Sequence, residues 1–216
     1  MGAQGCASLK TNSLEPLAGV GTEELLKMQH VLLQAAQDET AAHVVERDLF
    51  RNLLELGHKL FGAFLATVGP GDLGESAELD DGRTVNRLPD PHPRRLLTVF
   101  GEFEWSRYVY GSREGQKFDL IPTDQRLQLP ESELSYLLQE WDQLLDIEHA
   151  FGRAREVIEQ ILRLKQSVDT LEQTNQHMAE SAPAFRAAQP APDPQKEGKI
   201  LVATEDNKGI PMVRPV

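Results

Sequence analysis

Residues 150–171 read AFGRAREVIEQILRLKQSVDTL, and this stretch decides the expected fold. Apolar side chains recur at helical spacing from Ala150 to Leu162, and a short turn follows at residues 163–166. Ser167 then provides a residue type that caps the next helix. Two helices joined by a short turn are typical of a helix-turn-helix module. The stretch therefore predicts a helix pair whose second member presents polar side chains to solvent.

The polar residues of this stretch are of types that bind DNA. Arginine and lysine hold phosphates, whereas threonine, glutamine and asparagine can bond to base edges. Acids are interleaved with them, and packed helix pairs occur in proteins of many functions, so DNA binding and plain helix packing both stay open. The candidate DNA-binding residues are Arg153, Arg155, Arg163, Lys165, Thr170 and Gln173, with Asp169 and Asn175 also expected to face outward.

Outward from this stretch, the chain alternates between helical and extended patterns. Residues 131–181 are expected to form a three-helix module, whose first helix has an apolar stripe built from Leu134, Leu137, Leu138, Trp141, Leu144 and Leu145. Aromatic and β-branched clusters within residues 94–130 predict a small antiparallel β meander, with a loop between Pro122 and Pro130. Residues 69–93 are expected to be a linker, 21–68 a helical hairpin and 1–20 a disordered tail. The fold class is therefore α+β and mostly α-helical.

The C-terminal region has two parts with different compositions. Residues 182–197 are rich in alanine and proline and predict an extended linker. Residues 198–216 begin with an apolar run, KILVAT, that is typical of a buried strand and delivers Asp206 into a turn. An aspartate in this position is usually a turn former, so the spacing alone favours no catalytic role.

Composition and charge exclude several classes of protein. The chain has 216 residues, a net charge of −12 and a single cysteine, Cys6, so an intrachain disulfide or a cysteine-built zinc site is excluded. The acidity restricts any DNA-facing surface to a local patch. The sequence has no membrane-spanning apolar run, no glycine-rich phosphate loop and no nucleophile elbow. We expect a cytoplasmic protein without a membrane partner or a small-molecule substrate.

Seven segments, taken together and in order, resemble the N-terminal portion of bacterial insertion-sequence transposases of the Kra type, which have a catalytic domain of the DDE class. The likeness runs from about Leu56 to Arg214 and so covers most of the chain. The segments are RLPDPH (87–92), TVFGE (98–102), VYGSREGQK (109–117), IPTDQRLQLP (121–130), SYLLQEWDQ (135–143), QSVDTLE (166–172) and DNKGIPM (206–212).

This resemblance implies a function and one catalytic residue. It implies a helix-turn-helix-like module that recognises transposon-end DNA, placed ahead of an RNase H-like catalytic domain of which residues 198–216 would be an orphan first strand. Asp206 would be the first acid of a catalytic triad that binds Mg²⁺ in the complete enzyme. The other acids are absent, so we expect no strand cleavage or joining by this chain alone. The implied partners are DNA and either the full-length transposase or a second copy of the chain, and a DNA-bound protein would be associated with the nucleoid.

Two alternatives remain open at this point. The chain could be a non-catalytic module that binds DNA or a transposase and acts as an inhibitor. It could also be a decayed remnant without a function, in which case an unpaired strand edge would favour aggregation or proteolysis.

Overall fold

The computed structural model describes residues 15–111 and 118–190. It confirms the α+β class with mostly helical content. Seven helices and five short strands occur in these ranges. One compact unit ends at Asn175 and a second begins at Gln176. In the described ranges, no helix has both the length and the apolar character needed to cross a membrane.

The N-terminal region forms the predicted helical hairpin from α1 (Glu15–Gln37) and α2 (Ala42–Val68). Met28 of α1 is buried, and a salt bridge of 2.8 Å joins Lys59 of α2 to Glu24 of α1. Gly69, with φ of 77°, ends α2, and its N–H donates to the Leu65 carbonyl. The predicted tail is shorter than expected, because residues 15–20 already belong to α1, while residues 1–14 lie outside the described ranges.

A three-stranded antiparallel sheet with the order β1-β2-β5 follows the hairpin. It consists of β1 (Ser76–Glu78), β2 (Thr84–Arg87) and β5 (Tyr110–Gly111). The prediction of a linker over residues 69–93 is therefore wrong, since two strands lie within it. These strands are too short to show an alternating pattern in the sequence. They form because β1 pairs with β2, β2 pairs also with β5, and Val85 is buried.

A separate two-stranded sheet is formed by β3 (His92–Thr98) and β4 (Gly101–Arg107). Thr98 pairs with Gly101, whose φ of 122° favours glycine. Two strands of the predicted antiparallel meander thus pair as a hairpin, but the third, β5, pairs with β2 in the other sheet. The loop predicted between Pro122 and Pro130 contains a helical turn, α3 (Pro122–Leu127).

Three helices lie in the range where the sequence predicts a three-helix module: α4 (Tyr136–Glu148), α5 (Phe151–Leu162) and α6 (Val168–Ala179). Backbone hydrogen bonds join Leu97 of β3 to Glu133 and Ser135, which fixes the start of α4. A buried cluster then connects β3, α4, α5 and the turn after α5, and Leu54 of α2 packs against it. In the second unit, α7 (Ala182–Ala188) forms where we expected an extended linker.

Candidate nucleic-acid interface

The turn between α5 and α6 is held by one buried side chain. Leu164 is buried in the cluster that also contains Ile158 and Leu162. Its neighbours Arg163 and Lys165 are both exposed. Arg163 has a left-handed conformation with φ of 57°, and its N–H donates to the Glu159 carbonyl at 2.9 Å, which ends α5. The turn therefore directs two cations to solvent on either side of a fixed apolar anchor.

The start of α6 is capped as the sequence predicts. Ser167 Oγ accepts a hydrogen bond of 3.0 Å from the Thr170 N–H. The hydroxyls of Ser167 and Thr170 lie 2.7 Å apart, so the Thr170 side chain is already engaged within the protein. Leu171 is fully buried and anchors the helix, whereas Gln173 is exposed. Thr170 and Gln173 are the two candidate residues for base contacts. Gln173 is exposed, whereas the Thr170 hydroxyl is bonded to Ser167.

Replacing Ser167 by alanine removes the cap and is expected to lower the free energy of unfolding by about 1 kcal/mol. Chemical denaturation followed by circular dichroism measures this change. Ser106→Ala, on the exposed side of β4, is the matched control and should change stability by less than about 0.5 kcal/mol. Equal stability of Ser167→Ala and the unmodified chain would show that the cap contributes nothing.

The four candidate cations differ in their surroundings. Arg153 is exposed and forms a salt bridge of 2.9 Å with Glu156. Arg155 is half-buried, and its Nε has no hydrogen-bond partner among the described residues. Within the same ranges, no ion pair involves Arg163 or Lys165. These two residues are thus the best placed of the four to contact an anion in solution.

Behind the turn, a polar cluster of one buried and four half-buried residues connects α4 to the turn and to α6. Gln166 Nε2 donates to Asp142 Oδ1 at 3.3 Å, and Asp142 is 1% exposed. Asn175 Nδ2 donates to Asp146 Oδ2 at 2.6 Å, while its Oδ1 accepts from Gln143 Nε2 at 2.7 Å. Burial raises the pKa of Asp142 to about 7, with a smaller contribution from the charge of Asp146. The cluster therefore holds the turn and α6 against α4 by hydrogen bonds.

The expectation that Asn175 faces outward is wrong. Asn175 is half-buried and bonded to α4 as well as to the Leu171 carbonyl. We also missed Asp142, although a signal was present. Asp142 follows Leu138 by four residues and precedes Leu145 by three, so helical spacing places it on the same side as two inward-facing leucines.

The predicted catalytic and Mg²⁺-binding residue, Asp206, lies outside the described residues, as does all of the predicted strand at 198–216. In the described part of the chain, no group of three or more histidine, cysteine, aspartate or glutamate side chains is arranged to hold a metal ion. Comparison of the chain with protein-family models, with curated proteins and with solved structures finds no match.

Proposed function

We propose that this chain is the DNA-end-recognition part of a Kra-type DDE transposase and that it binds DNA through the turn between α5 and α6. The observation that carries the proposal is the pair of exposed cations, Arg163 and Lys165, on both sides of the buried Leu164. They lie directly before the capped start of α6. The order of the seven resembling segments supports the same function.

The charge distribution agrees with a patch of limited area. The stretch 150–175 contains four basic and four acidic residues, so it is locally neutral in a chain with a net charge of −12. Cations that already bond to carboxylates contribute little to phosphate binding, whereas Arg163 and Lys165 are free of such bonds in the described part of the chain. Arg155, at the half-buried edge of α5, is a third contact residue in this proposal, and Gln173 is the base-reading residue.

We propose catalytic activity only for a protein that contains the whole catalytic domain. Asp206 would there contribute one carboxylate to an Mg²⁺ site, because oxygen ligands are those that Mg²⁺ prefers. Two Mg²⁺ ions held by such a site would supply, one each, activation of the attacking water or hydroxyl and stabilisation of the leaving oxygen. A cytoplasmic location and association with the nucleoid follow from the same proposal.

The test is a DNA-binding titration with a charge-matched control. In Arg163→Gln/Lys165→Gln, affinity for a labelled duplex at low salt is expected to fall at least about tenfold. The slope of log K against log salt should also fall by about two. Arg47→Gln/Arg51→Gln, on the exposed side of α2, makes the same change in net charge and should leave both quantities unchanged. Fluorescence anisotropy of the full chain gives both values.

Two results would contradict the proposal. One is the absence of duplex binding by the unmodified chain at low salt. The other is an equal loss of affinity in the two double variants, which would show that net charge, and not the turn, determines binding.

A further inference from the structure

The helix α4 carries apolar side chains on its solvent side. Leu138 is fully buried and Asp142 is 1% exposed, so these two residues mark the inner side of the helix. Leu137, Trp141 and Leu144 follow one another at helical spacing along one flank of this inner side, and Ile147 lies beyond Leu144. Trp141 is 37% exposed and Leu137 is 45% exposed. Leu144 is 61% exposed and Ile147 is 76% exposed. We call these four residues the outer face of α4.

This arrangement is the reverse of what stability alone favours. Burying a carboxyl group costs desolvation free energy. A leucine or isoleucine that stays exposed contributes none of the hydrophobic stabilisation that its burial would provide. A helix that served only the core would place Leu144 and Ile147 inward and Asp142 outward. A row of apolar side chains at this spacing is instead the arrangement by which one helix binds another. The outer face of α4 is thus suited to a helical partner.

The charges around the outer face define the chemistry of that partner. Glu140 and Glu148 project on the same side of α4, and the range 131–152 contains no lysine or arginine. Phosphates of nucleic acids or anionic lipids would be repelled by these carboxylates. A second α4 would likewise bring glutamates against glutamates. An amphipathic helix with lysine or arginine beside its apolar stripe matches both the apolar and the charged parts of this surface.

We propose that the outer face of α4 is the docking surface for an amphipathic, basic helix of a partner protein. This inference goes beyond DNA binding, and it uses none of the residues of the α5–α6 turn. The two proposals can therefore fail independently.

The experiment uses Trp141 as the reporter in the full chain. The chain has two tryptophans, so Trp105→Phe leaves Trp141 as the sole indole. The probe is a helical peptide of leucine and lysine with apolar residues at helical spacing. We expect a saturable blue shift of Trp141 emission, because the ring leaves water when the peptide docks. A scrambled peptide of the same composition, and a leucine–glutamate peptide with the same stripe, should produce no shift.

Matched variants test whether the outer face is the site. Leu144→Gln/Ile147→Gln should weaken peptide binding at least about tenfold, because each side chain contributes buried apolar area. Leu26→Gln/Leu33→Gln on α1 removes two comparably exposed leucines, at 59% and 66%, and should leave binding unchanged. Circular dichroism of each variant confirms that the helices remain.

Several outcomes would overturn the inference. The first is no shift with the leucine–lysine peptide, or an equal shift with its scrambled form. A dimer in sedimentation velocity that Leu144→Gln/Ile147→Gln abolishes would assign the face to a second copy of the chain. A blue shift with phosphatidylcholine vesicles alone would assign it to lipid.

Discussion

Arg94→Met is expected to lower the free energy of unfolding by about 3 kcal/mol. Arg94 is 8% exposed and lies on β3, and its Nη2 donates to the carbonyls of Pro130 at 2.6 Å and Ser132 at 2.7 Å. Methionine fills similar space but provides no donor, so the carbonyls lose their partner in a region with little access to water. Urea denaturation measures the change.

The neighbouring arginine is the matched control. Arg95 is half-exposed and pairs with Glu102 at 2.5 Å and Glu133 at 3.2 Å on the solvent side of β3. Exposed ion pairs contribute little, so Arg95→Met should cost less than about 1 kcal/mol. Equal losses in the two variants would show that the bonds to the 130–132 carbonyls do not hold this loop to β3.

Asp142→Asn is expected to stabilise the chain at pH 8, by as much as roughly 4 kcal/mol, and to leave its stability at pH 4 nearly unchanged. Burial raises the pKa of Asp142 to about 7 in the folded chain, from an ordinary value of 3.8. At pH 8 the native chain must therefore bury a carboxylate charge. Asparagine keeps the acceptor for Gln166 Nε2 and adds a donor for Gln166 Oε1, which has no partner among the described residues.

The sign of the pH dependence follows from proton binding. Between about pH 4 and pH 7 the folded state holds a proton on Asp142 that the unfolded state has lost, so stability falls as pH rises through this window. The unmodified chain should lose stability between about pH 4 and pH 7 by this mechanism, and Asp142→Asn should show a flatter profile. Glu140→Gln, an exposed residue of the same helix, should keep the profile of the unmodified chain. A parallel profile in Asp142→Asn would contradict the raised pKa.

The helices could be predicted because their signals are local. Leucine spacing in α2, and the Ser167 cap before α6, depend on residues within a few positions of one another. The strands β1 and β2 could not be predicted in this way, because they are only three and four residues long and because β2 pairs with β5, more than twenty residues away. The same reason explains why β5 joined the other sheet.

The sequence predicts which residues form the candidate site, but not which of their side chains face solvent. Arg163 and Lys165 face solvent because Leu164 between them is buried, and Leu164 is buried by contacts with α4 and β3 that the local sequence does not contain. Asn175 is a polar residue like Gln173, yet its side chain is half-buried because it hydrogen-bonds to the carboxylate of Asp146 and the amide of Gln143. The spacing of apolar residues along the sequence does not reveal long-range contacts of this kind.

The specificity of DNA binding distinguishes recognition of transposon ends from a general attraction to phosphates. Labelled duplexes from the DNA that flanks the coding sequence on either side are compared with shuffled duplexes of the same composition, at one salt concentration. If the chain recognises transposon ends, it should bind at least one flanking duplex more tightly than its shuffled form, by a factor on the order of a thousand. Equal affinity for flanking and shuffled duplexes, or binding to neither, would contradict the proposed function.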